Sequence, residues 1–130
     1  MPTDPTTITW RVSVFHVPDT HTRDAWTDGF KPGTPERLVW GAELTASSGL
    51  TGMDVAEVVY AITNSYPEEL HGAAASYPIH VESYRAERLR SLSIGDVVHL
   101  IHPRWRVPII LAVASAGFEV IDARDPAWQL

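Results

Sequence analysis

One amphipathic helix has to serve five strand-like segments, and this imbalance constrains the fold more than any other feature of the chain. Helical periodicity is clearest over 54–64, where Val55, Val58, Val59 and Ile62 fall at i, i+3, i+4 and i+7. Asp54 is the expected N-cap, with Glu57 three residues on, a capping box in acidic form. The helix should stop near Asn64 and Ser65, ahead of Pro67. Strand periodicity governs most of the rest. Ile8–Val17 alternates Ile8, Trp10, Val12 and Val14 with Thr9, Arg11 and Ser13, the period of two of a sheet buried on one face. Arg37–Thr45 puts Leu38, Trp40, Ala42 and Leu44 on one face. Val97–His102, Val107–Ala114 and Phe118–Asp122 follow at hairpin spacing, and the apolar run 107–114 suits a strand covered on both faces. No βαβ alternation is present. The expected fold class is therefore α+β: a mostly antiparallel sheet with one main helix, about 54–64, and a C-terminal β-meander.

The connecting segments are less regular. Met1–Thr7 reads as a loose lead-in. Asp19–Pro35 is a long polar connection, or hides a short helical turn around Arg23–Trp26. Pro67–Gly72 suits a short helical turn, residues 72–80 a connector, and Tyr84–Leu92 a short helix carrying Arg85, Arg88 and Leu89. With 130 residues, 45% of them apolar and 20% charged, one domain spanning 1–130 is expected.

Composition removes several functions. The chain has no cysteine, which excludes a disulfide scaffold, a thiol nucleophile, a thiolate zinc site and an iron–sulfur cluster. It has no apolar run near the roughly 20 residues of a membrane span, and its first 20 residues lack a basic start followed by a compact apolar segment. No membrane partner and a cytoplasmic setting are expected. The net charge of −6 opposes general adhesion to nucleic acid. Its distribution is uneven: residues 1–84 hold eleven acidic against four basic side chains, whereas residues 85–106 hold five arginines against two acids.

That basic island is the leading candidate for binding. Arg85, Arg88 and Arg90, beside Tyr84, precede a strand that leads to Arg104, Trp105 and Arg106 in a hairpin. Arginines flanking an aromatic suit a protein interface or a single-stranded nucleic acid. The same guanidiniums could instead pair inside the fold with the acidic first half. The surplus of tryptophans, Trp10, Trp26, Trp40, Trp105 and Trp128, makes a homodimer a further expectation.

Catalytic and metal signals are weak. His16, Asp19, His21 and Asp24 lie within nine residues but lack metal-ligand spacing, so no metal is expected. His99 and His102 are three apart in one strand and should face opposite ways. Ser91, Asp96 and His99 offer the residue types of a hydrolase, without a G-x-S-x-G elbow. Walker A and dinucleotide glycine patterns are absent, and no cofactor is expected. Ser91, Ser93, Gly95, Asp96 and Gly117 read as turn formers: hydroxyls bond nearby backbone, glycines tolerate positive φ, and Asp96 can accept a backbone N–H.

Two segments carry a family resemblance. Val59–Leu70, VYAITNSYPEEL, is a helix end running into an Asn- and Pro-containing turn. Arg90–Val98, RSLSIGDVV, is followed about twenty residues later by Ala116-Gly117-Phe118-Glu119-Val120-Ile121. Together they resemble the YodL-like domains found in large polyvalent proteins of phages and conjugative elements. The likeness covers roughly the C-terminal half, and about twenty residues intervene here between Leu70 and Arg90 where the family runs on quickly. Gly95 stands where that family commonly has a small polar residue. The resemblance implies a small module of mobile genetic elements, not an enzyme. The expected function is a non-catalytic interaction module that meets a protein partner through its arginine and aromatic surface. A nucleic-acid binder is the second expectation, and an enzyme of unknown type the third.

Overall fold

A computed structural model describes residues 6–18, 25–26, 28–70, 72–104 and 107–123. The elements in order are β1 (Thr7–His16), β2 (Arg37–Ser47), α1 (Gly52–Asn64), a 3-10 turn (Gly72–Ser76), α2 (Pro78–Ala86), β3 (Val97–Ile101), β4 (Ile109–Val113) and β5 (Phe118–Asp122). The strands form one sheet in the order β2-β1-β3-β4-β5. Every neighbouring pair is antiparallel. The fold is thus α+β, with one main helix and a C-terminal β-meander.

The core lies between one face of the sheet and the helices. Trp10, Val12 and Val14 of β1 meet Trp40 and Leu44 of β2, Val98 and Leu100 of β3, and Ile109, Leu111 and Val113 of β4. The stripe Val55, Val59 and Ile62 of α1 closes over them, all three completely buried. The period-two alternation of β1 is visible as burial at Trp10, Val12, Val14 and His16.

Several boundaries differ from the sequence expectation. Thr51, not Asp54, caps α1: its hydroxyl accepts the Asp54 N–H at 3.2 Å while the Asp54 carboxylate accepts the Thr51 N–H at 2.9 Å. The helix starts one turn earlier because Thr51 and Asp54 form the reciprocal box, leaving Glu57 outside it. Helix α2 occupies Pro78–Ala86 rather than Tyr84–Leu92, since Pro78 in its first turn loses no hydrogen bond there and presets φ. Leu38, expected on the buried face, is 59% exposed. A bulge sets Val14 opposite Trp40 but Phe15 opposite Leu38, so the intervening Val39 reverses the facing of what precedes it.

Helix α2 also seals part of the outer edge of β2. The Tyr77 hydroxyl, just before α2, donates to the Thr45 carbonyl at 3.0 Å, and His80 Nε2 lies 2.7 Å from the Glu43 carbonyl. Trp40 Nε1 donates to Ser83 Oγ at 3.1 Å. Among the described residues, no helix is long and apolar enough to cross a membrane.

Candidate functional site

The antiparallel arrangement gathers the end of β1, the start of β2 and the start of β3 at one end of the sheet. His16 pairs directly with Arg37, and Phe15 pairs with both Leu38 and Val97. The turn after α2 arrives at the same end. Together they enclose an open cleft of about 380 Å³, lined by His16, Val17, Pro18, Arg37, Arg88, Leu89 and Arg90.

The cleft is built on a buried carboxylate. Asp96 is fully buried and accepts four hydrogen bonds. Its Oδ1 takes the Val17 N–H at 2.8 Å and Arg90 Nη2 at 2.9 Å; its Oδ2 takes the Ser93 N–H at 2.8 Å and Arg90 Nη1. The guanidinium of Arg90 also donates to the carbonyls of Val17 and Ser91, both at 3.1 Å. This bidentate pair ties the end of β1 to the turn before β3. Gly95 makes the turn possible: its φ is +92°, and a Cβ there would lie 2.6 Å from that of Ala25. At Gly117, φ is +73°.

Behind the cleft, the Tyr84 hydroxyl donates to the Arg90 carbonyl. A carbonyl can only accept, so the Tyr84 oxygen is left to accept from His16 Nε2, 2.9 Å away. Burial pushes the Tyr84 phenol above its usual range, the Asp96 charge adds to the rise, and Arg90 and Arg85 oppose it. Glu36, next to Arg37, has a buried Oε1 with no hydrogen-bond partner among the described residues. Burial, with Asp96 adding repulsion, pushes its carboxyl up to about 7.

The arginines of the basic island divide into two groups. Arg85 is used inside the fold: its Nη2 donates to the Thr63 carbonyl in the last turn of α1 at 2.6 Å and its Nε to the Ser65 carbonyl just past that turn at 2.8 Å. Its guanidinium stacks 4.7 Å from the centre of the Tyr66 ring. Arg90 is the partner of Asp96. The ion pair is therefore with the adjacent turn, and what Arg85 and Arg90 meet in the acidic first half is backbone carbonyls of Thr63, Ser65 and Val17. Tyr84, the aromatic expected on the binding surface, is core. Arg104 is exposed at the far end of β3, about 17 Å along a five-residue strand from the Arg90 end. Among the described residues of the basic island, Arg85 and Arg90 are thus held inside the fold, and Arg104 lies at the opposite end of β3 from Arg90. Trp105 and Arg106 lie outside the described residues, as do Asp19, His21, Asp24 and Trp128.

Arg37 and Arg88 are different. Both are exposed and both line the cleft. Among the described residues, neither guanidinium has an ion-pair or hydrogen-bond partner. Arg88 also has φ +56°, the one positive value on a described residue other than glycine. Its N–H closes the α2 terminus onto the Arg85 carbonyl at 2.9 Å. Glycine is the usual residue at such a helix end, and a side chain there costs about 1–2 kcal/mol. Sequence reasoning passed over Arg37 and weighed His16 only as a metal ligand. The signal was present, because pairing consecutive strands antiparallel brings the end of the first beside the start of the second.

The remaining candidates separate. His99 and His102 do face opposite sides: His99 packs 4.4 Å from the Phe15 ring, and His102 meets the Trp10 ring edge-on at 5.0 Å. Burial lowers the pKa of both imidazoles, and Arg104 lowers that of His102 further. His102 Nδ1 accepts the Arg104 N–H at 3.0 Å, a role that requires the unprotonated nitrogen. Asp96, committed to Arg90, is not positioned as the acid of a Ser91–His99 set. Compared with protein-family models, curated proteins and solved structures, the chain shows no match to any of them.

Proposed function

We propose that this chain is a small non-catalytic interaction module that recognises a protein partner through the cleft between β1, β2 and the turn after α2. The observation that carries this reading is the convergence of Arg37 and Arg88, exposed and without partners among the described residues, from two separate elements onto one cleft. Arginine is enriched at interface hot spots because its planar fork meets acceptors in pairs. Arg90, fixed by Asp96, shapes the cleft without offering its charge. The setting we propose is cytoplasmic, consistent with a chain free of cysteine, and the resemblance to YodL-like domains suggests a mobile element as its context.

Site-specific photocrosslinking in cells tests the reading. A photoreactive residue replaces Glu87, which is exposed beside Arg88. A discrete protein adduct is expected, and it should vanish in an Arg37→Glu/Arg88→Glu background. Adducts to nucleic acid alone, or a protein adduct indifferent to the double substitution, contradict it.

A further inference from the structure

The chemistry of the cleft narrows the partner. Its charged lining contains Arg37 and Arg88, whose guanidiniums are available, and Arg90, whose charge is matched by Asp96 at 0% exposure. The other walls include Pro18 and Leu89, both half-buried. At about 380 Å³ the space exceeds what a bare inorganic anion fills and lies at the small end of ligand clefts, roughly 300–1,000 Å³. No described Phe, Tyr or Trp lines it to stack a base, and the one imidazole in the lining, His16, is buried and bonded to the Tyr84 hydroxyl; two available guanidiniums in a chain of net charge −6 neutralise too few phosphates to hold a polyphosphate backbone. Two guanidinium forks beside an aliphatic wall match carboxylates separated by an aliphatic side chain.

Resting on the protein-partner reading above, we propose that the cleft binds an acidic peptide segment of that partner, its carboxylates on Arg37 and Arg88 and an aliphatic side chain against Pro18 and Leu89. The backbone at Arg88 supports a recognition role. A left-handed position that glycine would occupy without strain carries instead a long cationic side chain, unpaired among the described residues and lining a cleft. The fold gains nothing visible from that guanidinium; a ligand would.

Fluorescence anisotropy on the full chain tests this with a labelled peptide of alternating Glu and Leu. Controls replace every Leu by Ser, or every Glu by Gln; inorganic phosphate and a single-stranded oligonucleotide serve as competitors. The Glu–Leu peptide should bind and weaken about tenfold or more in Arg37→Gln and in Arg88→Gly, the loss of a charged hydrogen-bonding partner. Arg104→Gln, at the far end of β3, should bind as the wild type does. The Ser peptide should bind several-fold more weakly, and the Gln peptide not at all. Arg88→Gly relieves a left-handed side chain, so its urea midpoint should equal or exceed that of the wild type, and lost binding cannot then be lost folding. Binding indifferent to Arg37→Gln and Arg88→Gly overturns the proposal. So does displacement by phosphate or oligonucleotide at lower concentration than by unlabelled peptide. If the Glu87 crosslink to a protein persists while the peptides fail to bind, the peptide class is wrong and the protein-partner reading stands. If the crosslink is also lost, both fall.

Discussion

Asp96 is the residue on which most of the local order depends, because four donors from three residues, Val17, Arg90 and Ser93, converge on one buried carboxylate. Asp96→Asn removes the charge and leaves the Arg90 guanidinium without its counterion. A loss of about 3 kcal/mol is expected in urea unfolding, the usual cost of breaking one half of a buried pair; a loss below about 1 kcal/mol would show that the pair is dispensable. Gly95→Ala should cost about 2–4 kcal/mol by the same measurement, combining a forbidden φ with a clash against Ala25. Glu36 sets a pH dependence of its own. Its folded value of about 7 lies above the ordinary 4.5, so the folded protein retains a proton that the unfolded chain releases. That contribution to stability is complete below about pH 4.5, falls as pH rises to about 7, and is flat beyond. Glu36→Gln cannot ionise and should match the wild type near pH 4 and exceed it near pH 8 in thermal unfolding; equal pH profiles would contradict this. At this scale the sequence was only partly legible. The turn-forming residue types of Ser93, Gly95 and Asp96 were readable because turns are local. The partner of Asp96 just past the end of β1, Val17, was not, because pairing between residues far apart in the chain leaves no mark on local spacing.

At the scale of elements, each helix is held at an end by side chains. Thr51→Ala should remove one side of the capping box of α1 and cost about 1 kcal/mol in urea unfolding, with no effect on peptide binding. Arg85 closes the other end by donating to Thr63 and Ser65. Helix α2 contributes differently, by covering the edge of β2 with Tyr77 and His80. An exposed edge is a template for strand pairing between chains. The strands and α1 were legible within a few residues because period two and period 3.6 are strong signals. The start of α2 was missed because Pro78 reads as a breaker when the helix around it is short. The facing of Leu38 was missed because a single bulge residue reverses alternation without altering composition.

At the scale of the whole molecule, the chain divides its arginines between fold and surface. Sequence alone grouped them by proximity along the chain. The sheet regroups them, setting Arg37 beside Arg88 and moving Arg104 to the opposite end of β3. Arg85 and Arg90 are spent on carbonyls and on Asp96, whereas Arg37 and Arg88 face the cleft. An NMR titration that follows the arginine Nε–H signals as the Glu–Leu peptide is added tests this division most directly. The account predicts progressive shifts at Arg37 and Arg88, with Arg85, Arg90 and Arg104 essentially unchanged. Shifts confined to Arg104, or absent from Arg37 and Arg88 while the peptide binds, would contradict it.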